Sequence, residues 1–307
     1  MSVVDWTFGG MWPYEPCWFD TPDGRLHYID EGPSDGPPVV LFHGNPTWGF
    51  LYRNFVGPLT EAGYRVIVPD FLGFGRSDKP ADPDLYRTNA HVERLNSLLD
   101  SLDLHNATVV PQDWGALGLS WAAAHPERVS RLFILNSSIH NPEKFNVPTA
   151  LKFFRMPGVG EVMVKGFSMF HHAFLFKAGM VNRNRLTKEI RQAYLAPHAT
   201  WGSRTGVLEF PREIPIGPVG PIARLLLGME EKLRRNFRDR PVRIVWGMND
   251  VAFTEKMLEE EWMKNFPQAK VVRLDGAGHY LQEDAHERII PELLDFLHET
   301  DEVESVS

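Results

Sequence analysis

Short apolar runs alternate with segments of helical periodicity along most of this 307-residue chain, and no other feature limits the fold as strongly. Val39–Phe42, Tyr64–Pro69, Thr108–Val110 and Leu132–Leu135 are of strand length and largely apolar. A strand that is apolar on both faces belongs in a parallel sheet covered by helices on either side. Helices are expected at Trp48–Glu61, Asn89–Leu102 and Trp114–Ala124. In the second of these, Val92, Leu95, Leu98, Leu99 and Leu102 recur at helical spacing and form one docking face. The pattern returns at Val242–Trp246, Lys270–Leu274 and a closing helix around Ile289–Leu297. The reading is an α/β chain built on a mostly parallel, doubly wound sheet.

Residues 138–240 interrupt that pattern. They offer no clear strand, are rich in Phe and Met, and are punctuated by prolines such as Pro142, Pro157, Pro197 and Pro211. A helical insertion between two parts of one sheet reads as a cap, so the expected core is 1–137 with 241–307 and the expected cap 138–240. Six phenylalanines, at 153, 154, 167, 170, 174 and 176, lie close together in the cap, and each alone is expected to pack its interior.

Composition narrows the class. A net charge of −8 leaves no basic footprint for nucleic acid or anionic lipid. Cys17 is the one cysteine, so neither an intrachain disulfide nor a cysteine metal site is available. No apolar run approaches the ~20 residues of a membrane span. Met1–Trp12 carries Asp5 and lacks the pattern of a signal peptide, which leads to the expectation of a cytoplasmic protein. His171-His172 lacks a third ligand and reads as a polar helix face, while Arg234–Arg240 reads as a solvated hinge.

The chemistry is concentrated in four strand ends. Thr108-Val109-Val110-Pro111 runs into Gln112-Asp113-Trp114-Gly115, the strand–turn–helix pattern of a nucleophile elbow with Asp113 where Ser usually stands. An ionised carboxylate needs no base to attack, and a helix N-terminus favours the anion. Val39–Phe42 delivers His43-Gly44-Asn45-Pro46, a turn placed to supply one backbone N–H of an oxyanion hole, with the residue after the nucleophile, Trp114, supplying the other. His43 itself is expected to brace this loop. Val242–Trp246 leads to Asp250, and Val271–Leu274 leads through Gly276 and Gly278 to His279. The order nucleophile, acid, histidine makes Asp113, Asp250 and His279 the candidate triad.

With these motifs the chain resembles the haloalkane dehalogenases of the α/β-hydrolase superfamily, from about Leu26 to Leu297. The resemblance rests on His-Gly-Asn-Pro at 43–46, Gln-Asp-Trp-Gly at 112–115 and Gly-His-Tyr-Leu-Gln-Glu-Asp at 278–284. It implies an α/β-hydrolase fold and hydrolytic dehalogenation of small apolar substrates through an aspartyl ester. Asn45 and Trp114 would donate side-chain N–H groups to the departing halide, and water would complete the reaction without metal or organic cofactor. Some members carry a Glu after the strand at Leu132–Leu135; here Asn136-Ser137-Ser138 follows it and Glu143 is remote, so Asp250 is preferred. The late Asp resembles the third dehalogenase subfamily. Pro111 and Ala116 depart from the usual Val and Gly. The β-lactone decarboxylases of long-chain olefin biosynthesis look similar at the same positions and form the alternative. Oligomeric state stays open.

Overall fold

The computed structural model describes residues 4–139, 149–214 and 220–306. Glu143 and the prolines at 142, 148, 215 and 218 lie outside them. Eight strands form one sheet: β1 (Cys17–Thr21), β2 (Gly24–Glu31), β3 (Pro38–Phe42), β4 (Arg65–Pro69), β5 (Ala107–Pro111), β6 (Val129–Leu135), β7 (Val242–Gly247) and β8 (Lys270–Leu274). Their order is β1-β2-β4-β3-β5-β6-β7-β8. β1 and β2 join antiparallel, β2 runs antiparallel to β4, and the remaining pairs are parallel.

The central strands are buried along their whole length, as continuous apolar runs require. Each splits its side chains between two cores. Val40, Phe42, Val109, Leu132, Ile244 and Trp246 face one, and Val39, Leu41, Val110, Phe133, Leu135 and Val245 face the other. The first core is closed by α2 (Thr88–Ser101) and α3 (Leu119–Ala124), the second by α1 (Arg53–Glu61) and the long C-terminal helix Leu281–Val306. The expected closing helix is therefore much longer than Ile289–Leu297, with a break in helical geometry at Ala285.

The N-terminal hairpin β1–β2 was not legible as strands. β1 alternates half-buried and exposed residues at the sheet edge, so it carries none of the continuous apolarity by which the interior strands were read.

Between β6 and β7 the described residues contain no strand and four α-helices, at Thr149–Arg155, Lys188–Leu195, Thr205–Glu213 and Pro221–Asn236. They have no core of their own. Phe154, Phe170, Val207 and Phe210 belong to the same apolar cluster as Val40 and Phe42, and Phe176 and Tyr194 join the opposite one. The Arg240 guanidinium, at the end of the expected hinge, donates to the carbonyls of Pro126 and Val129 and ties the returning chain to the start of β6. Two of the six clustered phenylalanines depart from the expectation of interior packing: Phe153 is 53% exposed and Phe167 68% exposed. His171 also departs from a polar face. It is buried, with its ring 4.9 Å from that of His198, because its helical turn rotates it inward while His172 stays exposed.

Candidate active site

β3 lies between β4 and β5, so the chain leaves β3 toward one side of the sheet and returns through β5 on the other. Such a reversal opens a crevice beyond the carboxyl ends of the two strands. The turns that carry Asn45 and Asp113 both open there.

Asp113 has φ 53° and ψ −124°, a left-handed conformation that a non-glycine residue adopts only when its surroundings hold it. Several contacts do so. Gln112 N–H donates to Phe42 O at 3.1 Å, Asp113 N–H to Asn136 O at 2.8 Å, and Ser137 Oγ to Asp113 O at 2.8 Å. The backbone donor absent at Pro111 is thus replaced at once by bonds to both neighbouring strand ends. Two glycines make room: a Cβ on Gly44 would stand 2.3 Å from Asp113 Oδ1, and one on Gly115 would stand 2.2 Å from Phe42 O.

Asn45 N–H donates to Asp113 Oδ1 at 2.8 Å, while His279 Nε2 stands 3.4 Å from Oδ2. The two carboxylate oxygens therefore face different partners. His279 Nδ1 donates to Asp250 Oδ2 at 2.9 Å. Asp250 also accepts from Asn136 Nδ2 at 2.9 Å and from Ala252 N–H at 2.7 Å. Burial by itself would push the His279 imidazole down, but Asp250 and Asp113 outweigh it and raise its pKa to about 10. The ring is flanked by Phe253, stacked at 5.3 Å, and Tyr280, edge-on at 4.7 Å.

These groups open into a cavity of about 130 Å³ lined by Leu117, Leu151, Phe170, Phe174, Ile214 and Leu226 among others, with Asn45, Asp113, Trp114 and His279 at its polar end. Trp114 stacks on Phe210 at 4.6 Å, which fixes the indole from the inserted helices. Asn45 Nδ2 donates to Val207 O at 3.2 Å, and its Oδ1 is buried without a partner. His43 is neutral and structural. Its Nδ1 donates to Gly44 O at 2.9 Å, its Nε2 accepts from Phe71 N–H at 3.1 Å, and burial pushes its pKa down.

All five predicted residues, Asn45, Asp113, Trp114, Asp250 and His279, thus border one site. Sequence reasoning overlooked three supports. Asn136 clasps the end of β7, donating to Gly247 O at 3.1 Å and accepting from Gly247 N–H at 2.7 Å, besides its bond to Asp250. Gln112 Nε2 donates to His279 O at 3.0 Å, and Tyr280 Oη donates to Asn45 O at 3.1 Å. Asn136 had a signal, since it stands where a carboxylate was sought and not found.

Residues 37–286 match the family described as alpha/beta hydrolase fold. The cis-3-alkyl-4-alkyloxetan-2-one decarboxylase of Shewanella oneidensis is 37% identical over 94% of this chain and 90% of its own length. The haloalkane dehalogenase of Mycobacterium marinum is 36% identical over 87% of this chain and 86% of its own. Among solved structures, haloalkane dehalogenase DbeA from Bradyrhizobium elkani superposes with a TM-score of 0.84 at 29% identity, covering 95% of this chain and 99% of that one. The chain belongs to the alpha/beta hydrolase family and, within it, to the relatives that include the haloalkane dehalogenases and the alkyloxetanone decarboxylases.

Proposed function

We propose that the protein hydrolyses halogenated aliphatic compounds to alcohol and halide, on a core of 1–137 and 241–307 closed by a cap at 138–240, and that it works in the cytoplasm. The observation that carries this reading is a carboxylate, Asp113, held on a strained elbow in a small apolar cavity, with the Trp114 indole and the Asn45 amide beside it.

Asp113 Oδ2, the oxygen not held by Asn45 N–H, attacks the halogen-bearing carbon. The new C–O bond forms as the carbon–halogen bond breaks, and halide departs with the electron pair. Donors from Trp114 Nε1 and the Asn45 amide meet that charge where water is excluded. Ester formation also removes the Asp113 charge, one of the two that raise the His279 pKa, which favours the neutral imidazole in the intermediate that needs a base. His279, oriented by Asp250, then takes a proton from water as the hydroxide adds to the Asp113 carbonyl carbon. The backbone N–H groups of Asn45 and Trp114 hold the oxyanion until the bond to the alkyl oxygen breaks. The alkoxide takes the proton from His279 and leaves as alcohol, and the proton on the added oxygen passes to water as the Asp113 carboxylate is regenerated. Neither step calls on a metal or an organic cofactor.

Cavity size favours short substrates, because an apolar cavity of about 150 Å³ accommodates benzene and this one is about 130 Å³. A second reading, β-lactone decarboxylation to an olefin, is supported by the relatives at 37% identity in Shewanella oneidensis and Xanthomonas campestris. Parallel assays with a short bromoalkane and a dialkyl β-lactone test the choice. Sustained halide release with matching alcohol is expected; olefin from the lactone without halide turnover would transfer the site to the second chemistry.

A further inference from the structure

Net charge is unevenly divided. Residues 138–240 carry 17 Lys and Arg against 8 Asp and Glu, a net of +9, while the rest of the chain carries 15 against 32, a net of −17. The whole-chain value of −8 conceals this, and the absence of a basic footprint does not hold for the segment between β6 and β7. The same segment concentrates exposed apolar surface. Of the eleven large hydrophobic side chains exposed among the described residues, eight lie between Phe153 and Leu227. Scattered apolar residues on a surface mean little, but a cluster of them needs a partner.

Six of the eight fall on adjoining pieces of chain: Phe153, Met156, Val159, Val162, Phe167 and Trp201. The helix Thr149–Arg155 packs on the π-helical stretch Glu161–Gly166, which in turn meets the turn at Gly202–Arg204. Lys165 Nζ lies 5.5 Å over the Trp201 ring, and the Arg204 guanidinium donates to the carbonyl of Lys165, so cations and aromatics share one surface. Among the described residues, Lys152, Lys165 and Arg204 have no carboxylate partner. Exposed Phe and Trp flanked by Lys152 and Lys165 match the interfacial zone of an anionic bilayer, where rings enter the headgroup boundary and cations meet phosphates, while Arg204 holds the surface together through backbone carbonyls.

We propose that this outer face docks on an anionic lipid surface. The strongly negative remainder of the molecule is repelled by the same surface, so the charge division selects one orientation, cap toward the lipid. Leu151 lines the active-site cavity from the same short helix that carries Phe153 outward, and Phe170, also lining it, lies three residues beyond the exposed Phe167. A substrate dissolved in the bilayer would therefore reach the cavity by a short apolar path. The proposal does not depend on which substrate is turned over.

Vesicle flotation of the full chain tests it, comparing phosphatidylcholine alone with a mixture containing one third phosphatidylglycerol. The protein should float with the anionic vesicles, remain behind with the neutral ones, and detach in ~1 M salt, where the Debye length is about 3 Å. Phe167→Ser with Trp201→Ser should weaken vesicle partitioning about tenfold or more, from the apolar area no longer buried. Lys152→Glu with Lys165→Glu should abolish the preference for anionic lipid. Neither pair lines the cavity, so turnover of a water-dissolved substrate should stay at the parent level and report intact folding. Absence of flotation with either lipid would overturn the proposal, as would flotation that both variant pairs leave unchanged. Self-association that depends on Phe167 and Trp201 without vesicle binding would assign the face to a second copy of the chain.

Discussion

Asp113 and His279 divide the proposed reaction between them, which makes their separation the sharpest test of it. If His279 acts only on the ester, His279→Gln should release one equivalent of halide and stall, with an alkyl adduct on the Asp113 peptide by mass spectrometry. Full multiple turnover without adduct would remove His279 from the mechanism. Asp250→Asn should slow the water step by about 10⁴-fold, the loss seen when a triad histidine is deprived of its carboxylate. Rapid-quench measurement of ester breakdown checks this. The charge argument has its own readout. Because Asp113 helps lift the His279 pKa to about 10, Asp113→Asn should lower it, observable as an earlier titration of the imidazole proton by NMR.

At the scale of elements, the site depends on a clasp between strand ends. Asn136, just past β6, makes two bonds to Gly247 at the end of β7 and one to Asp250. Asn136→Ala would leave buried polar groups unpaired at about 1–3 kcal/mol each. Urea denaturation should show a loss of at least about 2 kcal/mol, and ester breakdown should slow as Asp250 loses one of its three donors. An undiminished urea midpoint would mean that the loop after β7 is held elsewhere. The Gly44 turn is constrained differently: it needs an empty side-chain position because the Asp113 carboxylate fills that space.

At the scale of the whole molecule, the inserted helices and the sheet share their apolar clusters. Unfolding should accordingly be one cooperative transition, with indole fluorescence and far-ultraviolet circular dichroism giving the same midpoint. Two separated transitions would show that the inserted helices hold a core of their own. The His279 pair adds a pH dependence. Its folded-state pKa is raised above an unfolded value of ~6.5, so its stabilisation is complete below about pH 6.5 and is lost as pH rises through about 10. The stability advantage of the parent over His279→Gln should shrink across that interval when measured by urea titration.

Much was written locally. Continuous apolarity marked β3 to β7 because an interior parallel strand is buried on both faces, and each motif residue was found by its place at a strand end. Local pattern could not reveal β1, a half-exposed edge strand, or β2, whose buried Leu26, His27 and Ile29 are interrupted by polar and half-buried positions. Nor could it reveal partners far apart in the chain. That Asn136 would hold Asp250, or that Val207 would accept from Asn45, follows from the strand order and from how the inserted helices seat on the sheet. The six clustered phenylalanines make the same point. Sequence placed them together, but only packing sent Phe170 and Phe174 into the cavity and left Phe153 and Phe167 outside, because a helical turn a few residues long cannot bury every side of itself. Residue types and their spacing determined the chemistry available to this chain; tertiary packing decided which atoms meet, since contacts across a sheet depend on strand order rather than on neighbours in sequence.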